Sequence, residues 1–357
     1  MSLGYDAVML LGFGGPECEA EVVPFLERVT AGRGIPPERL LEVGEHYFTM
    51  GGISPINAQN RALRDALGQA LTAALGEAVP VVLANRNSAP FVSEVVAELA
   101  AHDRRRILAV ATSAYSGYSG CRQYREDLAA AQRACDTEVV IQKLPPYFDL
   151  PGFAAAISEL LIGALPAELD LAADTTALIF TTHSVPLSLA RSAGTTGDAY
   201  VGQHRKVAAA ISAALTAATG VSKPWELVFQ SRSGPPQVPW LEPDVNDALA
   251  ELAERGITDV VLVPIGFLSD HMEVIWDLDT QTQQTAQAHR MRLIRTPTAG
   301  VHPRFVNDLA ARIADELRQG PTQTAVGDLC HGDCCLNPRS QAPVVPSSRV
   351  ESHVMES

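Results

Sequence analysis

A surplus of basic residues is the first thing this sequence lacks: 27 Lys and Arg stand against 41 Asp and Glu, a net charge of −14. Nucleic acid is thereby excluded as the main partner, because phosphate binding draws on clustered Lys and Arg. Long apolar runs are missing too, since no segment reaches the ~18 uninterrupted apolar residues of a membrane span. Six cysteines in 357 residues are too few for a disulfide scaffold. Nucleotide signatures are also missing. Residues 11–17 read LGFGGPE, which is not G-x-G-x-x-G, and no G-x-x-x-x-G-K-[ST] occurs, so neither a dinucleotide nor ATP is implied. Neither H-E-x-x-H nor G-x-S-x-G is found. His271-Met272-Glu273 matches half of a zinc deaminase signature, but the P-C-x-x-C half is lacking downstream.

With 46% hydrophobic and 19% charged residues, the chain can bury a sizeable core, and its length suggests roughly two domains at about 150 residues each. The start, MSLGYDAVMLLGFGG, has no basic region before its apolar run and reads as a buried strand, not a signal peptide. A cytoplasmic, reducing-compartment protein is expected. Short apolar, β-branched runs at 7–11, 81–84, 107–111, 138–141, 177–180, 226–229, 260–263 and 292–295 alternate with helical stretches rich in Ala, Leu and Glu. Such runs fit buried parallel strands in βαβ units, hence an α/β fold of two Rossmann-like halves, each a four-stranded parallel sheet flanked by helices. The expected divisions are 1–165, 166–300, a C-terminal helix and cysteine motif over 301–338, and a Pro/Ser-rich tail without order over 339–357.

Loops at the carboxyl ends of parallel strands line the ligand crevice of such sheets, and here they hold most of the chemistry-bearing residues. His183 lies in TTHSVP, directly after an apolar strand, where an imidazole can bind a divalent metal or accept a proton. In SDHMEVIWDLDTQTQQ, Ser269 or Asp270 can cap a helix that carries Glu273 and Asp277 one turn apart, with Gln281 continuing the face. Like charges at that spacing cost a helix a few tenths of a kcal/mol, a cost that a bound cation removes. Cys330, Cys334 and Cys335 form C-H-G-D-C-C; with a fourth ligand they would hold zinc or an iron–sulfur cluster. Spacing does not separate the two.

Taken in order, LLGFGGPE, GGISPIN, SAYSGYSGCRQYRE, TTHSVP, FQSRSGPPQVPWLEPD and PIGFLSDHMEVIWDLD, spread over about residues 7–280, resemble the ferrochelatase family, in particular its actinobacterial-type coproporphyrin ferrochelatases. The resemblance implies a chelatase-like pair of Rossmann-like domains with the active-site cleft between them and a C-terminal helix returning to the first. It implies insertion of Fe²⁺ into coproporphyrin III, with loss of two pyrrole protons, in haem biosynthesis. His183 matches the family's active-site histidine and Glu273 its facing glutamate, as catalytic and metal-handling residues; Asp277 falls on its acidic helix, where Gln281 replaces a frequent carboxylate.

The same resemblance assigns Ser54, Tyr124, Phe13 and Arg33 to porphyrin binding. Phe13 occupies a position where relatives carry an iron-ligating tyrosine, a role phenylalanine lacks, and Thr30 and Ala31 stand where some relatives have basic residues. Phe13, Trp240 and Trp276 are expected as apolar walls. Some family members carry a [2Fe–2S] cluster on one internal and three C-terminal cysteines; Cys330, Cys334 and Cys335 fit the C-terminal group, with Cys121 as the internal ligand and Cys135 as fallback. Adjacent Cys334 and Cys335 require a sharp backbone turn. The expected partners are the porphyrin and Fe²⁺, with haem-pathway enzymes as transient contacts of a monomer. The rivals are the same chemistry on protoporphyrin IX and a non-catalytic tetrapyrrole or metal carrier.

Overall fold

The structure, a computed structural model, describes residues 3–32, 34, 36–235, 237–321, 330, 333–338, 340 and 342–348. Strands β1 (Ala7–Gly12), β2 (Val81–Asn85), β3 (Arg106–Ala111) and β4 (Val140–Lys143) form one sheet in the order β2-β1-β3-β4. Strands β5 (Thr176–His183), β6 (Trp225–Gln230), β7 (Asp259–Pro264) and β8 (Arg292–Arg295) form a second in the order β6-β5-β7-β8. Every pairing is parallel. All six residues of β1 are buried, because helices cover both faces; its sequence is therefore continuously apolar instead of alternating. Two strands differ from their expected limits by more than one residue at an end. The strand expected at 138–141 begins at Val140 and ends on Lys143, and the one expected at 177–180 extends through Thr181 and Thr182 to His183. In both cases the added residues are polar, and apolar patterning is blind to them.

The helices of the first half are α1 (Glu19–Val29), α2 (Pro37–Phe48), α3 (Ile56–Leu75), α4 (Val92–Ala101), α5 (Gln123–Ala134) and α6 (Pro151–Ala164). Then follow α7 (Leu187–Arg191), α8 (Ala199–Thr219), α9 (Val245–Glu254), α10 (Met272–Val274), α11 (Gln283–Ala288) and α12 (Pro303–Gln319). Two π-helical turns, Tyr118–Arg122 and Ile275–Thr282, precede α5 and α11.

The two sheets share one strand order, so each has a switch point, between β1 and β3 and between β5 and β7, where loops diverge and leave a crevice. Their facing sides share a single core that takes Leu10 and Val110 from one sheet and Phe180 and Val263 from the other. The outer faces have separate cores. Helix α12 shows why the last helix returns to the first half: Phe305, Leu309, Ile313 and Leu317 recur every four residues, are fully buried, and pack against α3 and α6. Helices α1 and α2 make a small core of their own from Val22, Phe25 and Leu26.

The tail expectation needs correction. Residues 342–348 run beside β4: Lys143 N donates to the Pro346 carbonyl (3.1 Å), Ser348 N donates to the Lys143 carbonyl (3.0 Å), and Val345 is buried. Composition argued against order here, yet an open sheet edge satisfies the segment's backbone groups. Residues 349–357 lie outside the described residues.

Candidate active site

His183 ends β5, in register with Gln230 of β6, and Glu273 follows β7 on the short helix α10. The second sheet's switch point therefore brings them together, with His183 Nε2 3.5 Å from Glu273 Oε1. Both remain open to the cleft, with side-chain exposures of 31% and 45%. Nδ1 of His183 is held by the Ser184 carbonyl. Since that carbonyl only accepts, Nδ1 carries the hydrogen and Nε2 is the atom that gains or loses a proton. The backbone is held as well: Tyr200 Oη donates to the His183 carbonyl (2.8 Å) and Ser184 N donates to the Gln230 carbonyl (2.7 Å).

Burial works against charge on His183, but the Glu273 carboxylate and the Ser184 carbonyl outweigh it and raise the imidazole's pKa. Burial likewise pushes Glu273 up, and His183 together with His271 overcomes this, so Glu273 is held below the usual glutamate value. Asp277 differs. Burial and the nearby Glu273 charge push it to about 7, despite a hydrogen bond donated by the Ser231 hydroxyl. Ser231 reaches Asp277 from a left-handed backbone conformation (φ 63°), one that few non-glycine residues adopt.

The helix carrying these carboxylates is not regular. Its N-cap is His271, whose Nδ1 accepts from Val274 N (3.4 Å), so neither Ser269 nor Asp270 caps it; Asp270 is ion-paired with Arg295 instead. From Ile275 to Thr282 it widens into a π-helix, and the Thr282 hydroxyl donates to the Asp277 carbonyl (2.7 Å). Gln281 is exposed there.

The first half supplies the opposite wall. Ser54 is buried, and its hydroxyl accepts from Met272 N (3.3 Å), tying the start of α10 across the cleft; it is not the N-cap of α3, which is Pro55. Gln59 Oε1 accepts from Asp270 N (2.9 Å). His46 of α2 stacks on Trp276 (4.0 Å, 12°). Phe13 is 38% exposed and meets Phe25 edge-on, while Trp240 lies beside the His183 loop, bridged to Pro186. Tyr124 is buried, its ring beneath the Arg86 guanidinium at 3.9 Å. Arg33 lies outside the described residues.

The thiols gather elsewhere. Cys121, in the π-helical turn before α5, lies beside Cys330 and Cys335, and Cys334 belongs to the same group of thiols. The thiols of Cys330 and Cys335 hold Cys121 and Cys334 below the usual cysteine range and are themselves pushed up. The turn that adjacent cysteines require is present, since Cys335 is left-handed (φ 55°). Among the described residues no three donors stand ready-made as a metal site. Cys135 sits at the far end of α5, against the outer core, about 20 Å along the chain axis from Cys121 at 1.5 Å per residue.

Sequence reasoning missed Ser231, Tyr200, His271 as a cap, and Tyr115. Tyr115 pins the halves: its hydroxyl donates to the Ile265 carbonyl (2.8 Å) and its ring stacks on His204 (3.6 Å). His204 is fully buried and pushed down to about 3 by that burial, so it is neutral. Only the polar character of the crevice loops hinted at any of these.

A profile of the family described as Ferrochelatase matches residues 5–317. The coproporphyrin III ferrochelatase of Propionibacterium freudenreichii subsp. freudenreichii is 46% identical over 350 residues, 96% of this chain and 97% of that protein. The coproporphyrin III ferrochelatase of Streptomyces coelicolor is 48% identical over 353 residues, 93% of each. Among solved structures, SirB from Bacillus subtilis with Fe3+ aligns at 14% identity and TM-score 0.49, over 87% of this chain and 95% of that one.

Proposed function

The chain belongs to the ferrochelatase family, and from that premise we propose that it inserts Fe²⁺ into coproporphyrin III, using His183 and Glu273 as the reacting pair. The observation that carries the assignment of residues is the 3.5 Å approach of His183 Nε2 to Glu273 Oε1 at the mouth of the second sheet's switch point.

The reaction exchanges two pyrrole protons for one metal ion. His183 is built to take a proton: Nδ1–H is committed to the Ser184 carbonyl, which leaves the Nε2 lone pair as acceptor, and the adjacent carboxylate stabilises the imidazolium that results. Glu273 and Asp277 form the acidic side, where carboxylate oxygens replace the water of hydrated Fe²⁺ before transfer. Asp277, titrating near 7, changes charge across neutral pH. It passes protons to solvent or holds metal according to its state. The π-helix permits this arrangement, because its wider turn re-aims Asp277 toward Ser231.

The four clustered cysteines fit a [2Fe–2S] site: all are free, and the donor set is all sulfur. Cys121, Cys330, Cys334 and Cys335 would hold the cluster, which supplies a one-electron centre and ties the C-terminal segment to the body. Cytoplasmic location belongs to the same proposal, since free thiols suit a reducing compartment; among the described residues no helix is long and apolar enough to cross a membrane.

The test is anaerobic turnover with Fe²⁺ and each porphyrin. A higher kcat/KM for coproporphyrin III is expected. Preference for protoporphyrin IX would overturn the substrate assignment, and tight porphyrin binding without turnover would make the protein a carrier.

A further inference from the structure

Lys143 ends β4 and is 2% exposed. Its ammonium donates to the Leu144 carbonyl (2.9 Å) and to Cys121 Sγ (3.6 Å), and no carboxylate pairs with it among the described residues. A buried ammonium without a counter-charge is strongly disfavoured, so the direction in which this one points is informative. It points at sulfur.

The surroundings repeat the pattern. Arg125 is equally buried, and its Nη1 donates to Cys334 Sγ (3.6 Å) while Nε donates to the Val345 carbonyl (2.8 Å). The Gly194 backbone N–H donates to Cys335 Sγ (3.2 Å). Three segments distant in the chain thus aim N–H groups at three sulfurs. The neighbouring Arg122 is ion-paired with Glu126 (3.0 Å), so its charge is met locally, whereas that of Lys143 is not.

We propose that Lys143 is the fixed counter-charge of an anionic sulfur centre at Cys121, Cys330, Cys334 and Cys335, retaining that centre and setting its reduction potential. This rests on the reading of the four cysteines as a [2Fe–2S] site. Four thiolates give such a cluster a net negative charge that grows by one on reduction. A fixed positive charge in a water-poor site therefore favours the reduced form and slows loss of the metal. Because Lys143 also lies where residues 346–348 bond to β4, the same residue joins the sulfur centre to that segment.

The experiment uses the full-length protein purified anaerobically as wild type, Lys143→Met and Lys143→Arg. Iron, sulfide and zinc content of the wild type decide the underlying reading independently of Lys143. Lys143→Met should lower the equilibrium constant for reduction at least tenfold, which is 59 mV for a one-electron couple, and speed release of metal to a chelator at least tenfold. Lys143→Arg, which keeps the charge, should stay close to wild type in both.

If the wild type carries zinc, the iron–sulfur reading fails while chelator release still tests Lys143; a wild type without either metal overturns both. If Lys143→Met holds no centre at all but folds by circular dichroism, retention by Lys143→Arg supports the proposal. Loss in both variants overturns it, because shape and not charge would then be what matters. Unchanged potential and release rate in Lys143→Met overturn it as well.

Discussion

His183 and Glu273 keep part of their side chains exposed to solvent, with Asp277 beside them, whereas Cys121, Cys334 and Cys335 are buried. Both groups lie beyond the carboxyl ends of parallel strands, and both combine groups of opposite protonation tendency. What differs is the source of the compensating charge. In the cleft the ionisable groups compensate one another, with imidazole against carboxylate and a second carboxylate near 7, so a metal or proton can arrive and leave at small cost. Around the thiols the compensation comes from fixed, buried cations, Lys143 and Arg125, which favours permanent occupation. On the proposed function, an exchange site and a storage site would be told apart by which neighbours carry the balancing charge.

The largest expected effect separates the two groups outright. His183→Ala should lower anaerobic metallation by about 10²–10⁴-fold, the range for loss of a positioned acid–base group, while iron–sulfur absorbance and thermal midpoint stay near wild type. Cys334→Ser should do the reverse to resident iron, abolishing it and lowering the midpoint. If the histidine variant metallated normally, His183 would lose its assignment.

Asp277→Asn bears on the cleft alone. With Asp277 at about 7, raising pH through neutrality ionises it beside Glu273, so turnover limited by metal capture should rise across pH 6–8, a window centred about that value. The amide should flatten that rise; a kcat/KM profile in Fe²⁺ checks it, and an unchanged slope would assign the titration to another group.

The smallest effect concerns stability. Glu316 of α12 is buried and pushed up to about 7 by that burial, with the nearby Ser348 hydroxyl and the Arg312 guanidinium (3.7 Å) partly opposing. Unfolded glutamate loses its proton near its ordinary value of 4.5, so across pH 4.5–7 the folded state binds the additional proton and stability falls as pH rises. Glu316→Gln should remove most of that slope, leaving the thermal midpoint at pH 8 about 3 °C above wild type. Thermal melts at pH 5 and pH 8 measure it.

How much could be read in advance depended on the kind of signal. All eight strands were legible, because strands buried on both faces are apolar throughout; the ends that carry Lys143 and His183 were not, since function places polar residues there. The pairing of His183 with Glu273 came from family resemblance and not from spacing, as 90 residues of chain separate them (273 − 183). The π-helix was read as α because both periods keep Glu273 near Asp277 over one turn. The order of residues 342–348 escaped a composition-based reading that has no knowledge of a free sheet edge.

By itself, then, the amino-acid order determined the layered α/β architecture, the reactive residue types and the cluster of C-terminal thiols, since each rests on local pattern. Which imidazole nitrogen is free, which carboxyl titrates near neutrality, and which buried lysine faces which sulfur were decided only by the tertiary structure. Those properties arise from burial and from neighbours brought in across long stretches of chain, and no local pattern encodes them.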